Sequence, residues 1–343
     1  MKFLWLTFVR AYLSVGMFFY FRRIKIYDVK HVPKNKPVLL LSNHQNALLD
    51  ALIIATISGR FSYFLTRAAV FKKPLIAKIL KSLQMLPVYR IRDGWGNISN
   101  NNAIFEACSE LLTENACVVI FPEGNHNLNR TVRPLSKGFT RIVFAALEKH
   151  PNLDLQLLPV GVNYRHAHKF PDSTSVYFGK PIAATQFISD NRNNDVVELK
   201  ARIHAEITQL TTHIPSESYQ ETLKRLEDLN FDFLDPKAVN ACIKSNFENY
   251  NIQKFKKKNI LSRILKFLFI IVFIVPYVIW KFAVKPKVKE IEFVSTFRFA
   301  VAITLAPLWL ASLFVAMLLC FNIVTACFVI IVCLVVAIAA VKS

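Results

Sequence analysis

The sequence predicts an α/β fold, a mixed and largely buried sheet flanked by helices, with a membrane-associated helix before it and transmembrane helices after it. Three observations predict this. Between about residues 36 and 190, short apolar runs alternate with helix-like stretches. After residue 259 the chain turns into long apolar runs. The first 21 residues, MKFLWLTFVRAYLSVGMFFYF, are apolar and aromatic, interrupted at Arg10.

Arg10 divides the N-terminal run into pieces too short to span a bilayer unaided. A small-x-small cleavage site is not evident, which argues against a secretory leader. Arg22, Arg23 and Lys25 follow at once. A helix lying in the interface, its basic end at the headgroups, fits these features, with a shallow transmembrane anchor as the alternative. VLLLSN (38–43), FSYFLT (61–66), MLPVYR (85–90), CVVIF (117–121), LQLLPVGVNY (155–164) and SVYFG (175–179) read as strands. Residues 47–58, 73–83, 98–113 and 138–149 read as helices between them. Nearly continuous apolar strands separated by helices point to a sheet covered on both faces.

Residues 194–258 read as charged and mostly helical, ending in the basic cluster QKFKKKNILSR. Two apolar runs, at about 299–321 and 323–341, are each long enough to span and form a helical hairpin turning near Asn322. The run at 260–280 differs, because Arg263, Lys266 and Pro276 fall within it and Lys281, Lys285, Lys287 and Lys289 follow. Basic residues at both flanks favour one side of the membrane, which a single span cannot satisfy. A re-entrant or in-plane helix resolves that conflict. The expected division is 1–30 for the N-terminal helix, 31–190 for the α/β domain, 191–258 for a helical extension and 259–343 for an anchor.

Of the 343 residues, 53% are hydrophobic, and 43 Lys+Arg stand against 23 Asp+Glu, a net charge of +20. Such a balance calls for an anionic partner. The apolar segments make that partner a phospholipid surface and argue against nucleic acid. Cys108, Cys117 and Cys242 are scattered, and Cys320, Cys327 and Cys333 lie in apolar runs. They read as reduced core thiols, in keeping with a catalytic domain on the cytoplasmic side.

Four stretches carry chemistry. In LLLSNHQNALLDALIIA, His44 leaves a strand, Asn46 is a candidate helix N-cap and Asp50 lies about one turn into the helix. An aspartate there would orient the imidazole and fix its tautomer, so that His44 could serve as a general base. A core histidine satisfied by a local carboxylate is the plainer alternative. In FPEGNHNLNR, a strand ends at Phe121 and presents Glu123 and Gly124. In LPVYRIRDG, Arg90 and Arg92 follow a strand and offer guanidinium forks for phosphate oxygens. In LPVGVNY, Pro159 interrupts a strand-like run and reads as structural.

In this order and at these separations, the four stretches resemble the glycerolipid acyltransferase family over roughly residues 36–180. That family includes enzymes acylating lysophosphatidate and glycerol 3-phosphate. The resemblance implies that His44 deprotonates the acceptor hydroxyl, with Asp50 orienting it. The hydroxyl would attack the thioester of acyl-CoA or acyl-carrier protein directly, as co-substrate, without a covalent acyl-enzyme, a metal or another cofactor. Arg90 would hold the acceptor's phosphate, with Arg92 beside it, and Glu123 and Gly124 would shape the acceptor site. Apart from the resemblance, the charges of Lys137 and Arg141, in SKGFTR, suggest added positive charge near the phosphate. The implied acceptor is 1-acylglycerol 3-phosphate, with glycerol 3-phosphate or another lysolipid as the alternative.

Two departures stand out. Five residues, Gln45 to Leu49, separate His44 from Asp50, one more than the common family spacing. Inside a helix the extra residue would swing Asp50 by about 100°; in the loop before it, the chain can absorb it. The glycine that usually opens the arginine block is replaced by Leu86-Pro87. Rival classes are a membrane-bound thioesterase, in which the His-Asp pair activates water, and a non-enzymatic membrane scaffold. No G-x-S-x-G occurs, so a nucleophile-elbow hydrolase is not supported. A metal site would draw on His166, His168 and His126, but HEXXH is absent and NYRHAHKF reads as a basic loop.

Overall fold

The computed structural model describes residues 1–89, 100–248 and 260–343. Helix α1 (Lys2–Tyr20) runs into strand β1 (Phe21–Tyr27). Then come β2 (Val38–Ser42), α2 (Ala47–Ile57), β3 (Ser62–Arg67), α3 (Pro74–Ser82), β4 (Met85–Val88) and α4 (Asn100–Thr113). They are followed by β5 (Cys117–Ile120), α5 (Gly138–Lys149), β6 (Gln156–Tyr164), β7 (Asp172–Phe178) and β8 (Ile182–Ala183). The sheet order is β1-β7-β6-β2-β5-β3-β4, with β8 also on β6. Neighbours pair in parallel except where β6 meets β7 and β8, so the sheet is mixed.

Burial explains the composition of the strands. Along β2, Leu39 and Leu41 join a core under α4, α5 and α6 (Arg192–Leu210). Val38 and Leu40 join the opposite core, with α1 and α2. Successive side chains alternate faces, so a strand covered on both sides reads as continuously apolar. In β6, Pro159 sits where the adjacent chain passes from β7 into β8, and its carbonyl accepts from Gly179 N–H. A residue lacking N–H is tolerated at such a break in a ladder. Two residues on, Gly161 lets α6 dock, because a Cβ there would lie 2.1 Å from the Leu210 carbonyl oxygen. Helices α7 (Tyr219–Asp228) and α8 (Pro236–Lys244) surround a small satellite core with Leu226, Phe233 and Val239.

The six predicted strands and four predicted helices are present within a few residues of their expected bounds. Two strands were unforeseen, the two-residue β8 and the N-terminal edge strand. FRRIKIY, read as a basic tail to the first helix, is edge strand β1, parallel to β7.

The apolar C-terminal region forms α9 (Ile260–Val272), α10 (Ile274–Val278), which winds on through Val284 as a π-helix, and the hairpin α11 (Val294–Cys320) and α12 (Ile323–Lys342). Asn322 caps α12 by accepting from Thr325 N–H. Among the described residues, α1, the helix ending at Cys320 and α12 are long and apolar enough to cross a membrane. The 260–287 segment is bent by 94°. Helix α1 buries Met17 and Tyr20 while Phe3, Leu4, Phe8 and Val15 face outward.

Candidate active site

Strand β2 ends at Ser42, and the next residue prolongs its hydrogen bonding through its side chain. Asn43 Nδ2 donates to the Val162 carbonyl at 2.9 Å, and Val162 N–H donates to Asn43 Oδ1 at 2.8 Å. This side-chain rung on β6 fixes the point where His44 leaves the sheet. The imidazole stacks on Phe121 at the end of β5, with ring centroids 4.1 Å apart. Two loops at neighbouring strand ends thus meet at one ring.

Asp50 turns back to that ring. His44 Nδ1 lies 2.8 Å from Asp50 Oδ2, which also accepts from the N–H groups of Gln45 and Asn46, both at 2.8 Å. Tyr164 Oη donates to Asp50 Oδ1 at 2.7 Å. The carboxylate is 0% exposed, and these four donors satisfy it. The first turn of a helix is favourable for its charge. The additional residue between His44 and Asp50 is taken up before the helix. Gln45 and Asn46 wrap the carboxylate, and Ala47 enters α2 with a left-handed φ of 39°. Burial, with the Asp50 carboxylate beside it, pushes the Tyr164 hydroxyl well above its ordinary range, so it remains a donor.

Glu123 faces the same loop. His44 N–H donates to Glu123 Oε1 at 3.2 Å, and Arg133 Nε donates to Oε2 at 2.6 Å. Arg133 also binds the side chain and carbonyl of Asn125. Burial raises the Glu123 carboxyl above the usual carboxylate range, against the lowering effect of Arg133. Gly124 has φ +76°, and a Cβ there would meet nothing within 4 Å, so the backbone and not the space calls for glycine. Asn127 N–H, from the same loop, donates to the His44 carbonyl.

A polar cavity opens beside this cluster, lined by His44, Glu123, Asn129, Arg130, Asn163 and Thr212 among others. Arg130 is pinned by donating to the carbonyls of Tyr164 and Arg165, and lies 3.9 Å from the Phe233 ring centroid. Burial lowers its pKa to about 10. Lys137 and Arg141 are exposed at the start of α5 and do not line this cavity. Arg90 and Arg92 lie outside the described residues. Arg130, Arg133 and Tyr164 were not singled out in the sequence. The signal for the two arginines was the basic run NRTVR just after the F-P-E-G loop.

His126 stands edge-on to His44, with ring centroids 5.6 Å apart. Burial and then the neighbouring His44 lower its pKa. Glu290 and Glu292, carried by the segment before α11, bring ligand atoms within 4.8 Å of one another and of His126. This donor set could hold a divalent cation. His166 and His168 are not part of it.

A histidine oriented by a buried carboxylate at the strand ends of a covered α/β sheet has the geometry a general base requires. Comparisons with known proteins point to a class of enzyme. Residues 23–163 match the family model described as Acyltransferase. Glycerol-3-phosphate O-acyltransferase 1 of Saccharomyces cerevisiae is 34% identical over 83 residues, 24% of this chain and 11% of the yeast protein. A probable 1-acyl-sn-glycerol-3-phosphate acyltransferase of Mycoplasma pneumoniae is 25% identical over 147 residues, 41% of this chain and 53% of that protein. The crystal structure of a 1-acyl-sn-glycerophosphate acyltransferase from Thermotoga maritima aligns at 17% identity and a TM-score of 0.43, covering 59% of this chain and 78% of its own. Residues 23–163 thus match an acyltransferase domain, and these relatives support a place among the glycerolipid acyltransferases. The match to the yeast relative spans about a tenth of that relative's length.

Proposed function

We propose that this protein is a membrane-bound O-acyltransferase that moves a fatty acyl group from a thioester, acyl-CoA or acyl-carrier protein, to the hydroxyl of 1-acylglycerol 3-phosphate. The observation that carries the reading is the His44–Asp50 contact of 2.8 Å, with Glu123 bonded to the His44 backbone. Asp50 holds the proton on Nδ1 and leaves Nε2 as the base. Nε2 takes the acceptor's proton as its oxygen attacks the thioester carbonyl. The C–S bond then breaks, the new C–O bond remains, and the imidazolium returns the proton to the departing thiolate.

Arg90 and Arg92 are assigned to the acceptor phosphate, with Arg130 at the cavity wall beside it. Lys137 and Arg141 supply outlying positive charge. Glu123 and Gly124 shape the loop that holds the acceptor. A mostly apolar groove between α1 and α2, lined by Leu6, Leu13, Leu52 and Met85 among others, is a candidate path for part of the acyl chain. In this reading helix α1 and the apolar helices from residue 260 onward hold the protein to a phospholipid bilayer. The sheet from β1 to β8 with its covering helices carries the chemistry, and α6, α7 and α8 brace it. The basic flanks support a cytoplasmic face for the catalytic domain.

The test is free-thiol release from an acyl thioester by the purified chain, with lysophosphatidate, with glycerol 3-phosphate and without acceptor. Release that requires one acceptor and vanishes in His44→Ala supports the transferase and names its acceptor. Acceptor-independent release would replace it with a thioesterase.

A further inference from the structure

The bent pair α9–α10 leaves and regains the same side of the molecule. At its start, Ser343 Oγ, at the end of α12, lies 3.3 Å from Ser262 Oγ. The adjacent Lys342 Nζ donates to the carbonyls of Phe18 and Phe21, where α1 passes into the sheet. The entry of α9 is therefore beside the catalytic domain. Its end is not: the Val272 carbonyl accepts from Trp309 Nε1 at 2.8 Å, and Trp309 is midway along α11. The 13 residues of α9 rise about 20 Å at 1.5 Å per residue, short of the roughly 30 Å bilayer core.

After the bend the chain returns. The Arg298 guanidinium lies 5.3 Å from the Trp280 ring centroid, and the same arginine donates to the His168 carbonyl in the catalytic domain. Glu290 Oε2 then reaches His126 Nε2 at 3.4 Å, and the Phe293 ring packs edge-on to His126 at 4.7 Å. Charge agrees with geometry. Arg263 and Lys266 mark the entry, and Lys281, Lys285, Lys287 and Lys289 the exit. From residue 249 onward Glu290 and Glu292 are the only acidic residues, and both stand at the histidine that flanks His44.

We propose that residues 260–293 form a re-entrant membrane element whose returning segment builds one wall of the His44 site. Helix α9 dips from the catalytic side to about mid-bilayer, and the chain folds back at Phe273. Glu290 and Phe293 then hold His126 edge-on against His44, which makes His126 a positioning residue. The inference rests on the reading of α11 and α12 as a bilayer-spanning hairpin.

The experiment introduces Arg263→Cys, Lys287→Cys, Phe321→Cys and Lys180→Cys singly into the full chain. Sealed right-side-out and inverted membrane vesicles are treated with an impermeant PEG-maleimide, and the added gel shift is read against wild type. Labelling at 263, 287 and 180 from one side, with 321 from the other, is the expected result. Labelling of 263 and 287 from opposite sides, with 321 still opposite 180, overturns the re-entrant element alone. Labelling of 321 from the same side as 180 removes the spanning hairpin, and the membrane reading fails with it. For the wall, Glu290→Gln lowers kcat about tenfold in membranes with KM for the thioester unchanged, and Glu290→Asp recovers part of the loss. A Glu290→Gln enzyme with wild-type kcat overturns the positioning role.

Discussion

His44 spends Nδ1 on Asp50 and one ring face on Phe121, and Nε2 has no hydrogen-bond partner among the described residues. A general base contributes on the order of 10²–10⁴ in rate. His44→Ala is therefore expected to lose about that factor in acceptor-dependent thiol release while partitioning to membranes like wild type. Tyr164→Phe removes one of four donors to a buried carboxylate and leaves the other three. Its expected effects are a loss of about 1–2 kcal/mol in stability and a modest fall in kcat, read by thermal unfolding alongside turnover. A pH effect belongs to Asp172, whose carboxyl is pushed up to about 6 by burial. A raised folded pKa means that the native state holds the proton longer than the unfolded chain. This group's stabilising contribution is thus present below the unfolded value, near 3.9, and fades as pH rises through about 6. His166, lowered to about 4 by burial, acts in the opposite direction as pH falls. The melting-temperature difference between Asp172→Asn and wild type should accordingly move in the variant's favour between pH 4 and 7.

At the scale of elements, docking of α6 on β6 depends on the bare Cα of Gly161. Gly161→Ala would press a methyl group into the Leu210 carbonyl, and overpacking of this kind costs about 1–3 kcal/mol. Thermal unfolding should show a lower midpoint, with partial loss of activity because Asn163, beside it in β6, lines the cavity. Most elements were legible because both faces of the sheet are covered, and burial writes itself into composition. The strand β1 was not. On an edge only one side needs a partner, so FRRIKIY keeps three basic residues, a pattern that also describes a solvated tail. The histidine and aspartate were legible as a pair, but their spacing was not decisive. Whether five intervening residues bring them together depends on a left-handed turn at Ala47, a conformation no propensity favours in alanine. Arg133 escaped notice because it reaches Glu123 across ten residues of irregular loop.

At the scale of the whole molecule, the catalytic sheet and the apolar helices are one assembly. Helix α1 packs against α2 on the sheet side and against α11 on the other, with Gly16 facing Ile303 and the Tyr12 hydroxyl bonded to the Ile303 carbonyl. Gly16→Leu should therefore loosen the helical bundle and the sheet together, giving one broadened unfolding transition and lower retention in carbonate-washed membranes. A variant that washes off the membrane with its sheet intact would show the two parts to be separable.

The ammonium of Lys342 closes the carbonyls of Phe18 and Phe21, more than 320 residues upstream. During synthesis those carbonyls wait until α12 has been made. A ribosome stalled after β7 but before Lys342 would carry a first helix and an edge strand that can already pair, but without the contact that joins them to the hairpin. The order of translation thus separates placing the catalytic domain from locking it to the hairpin.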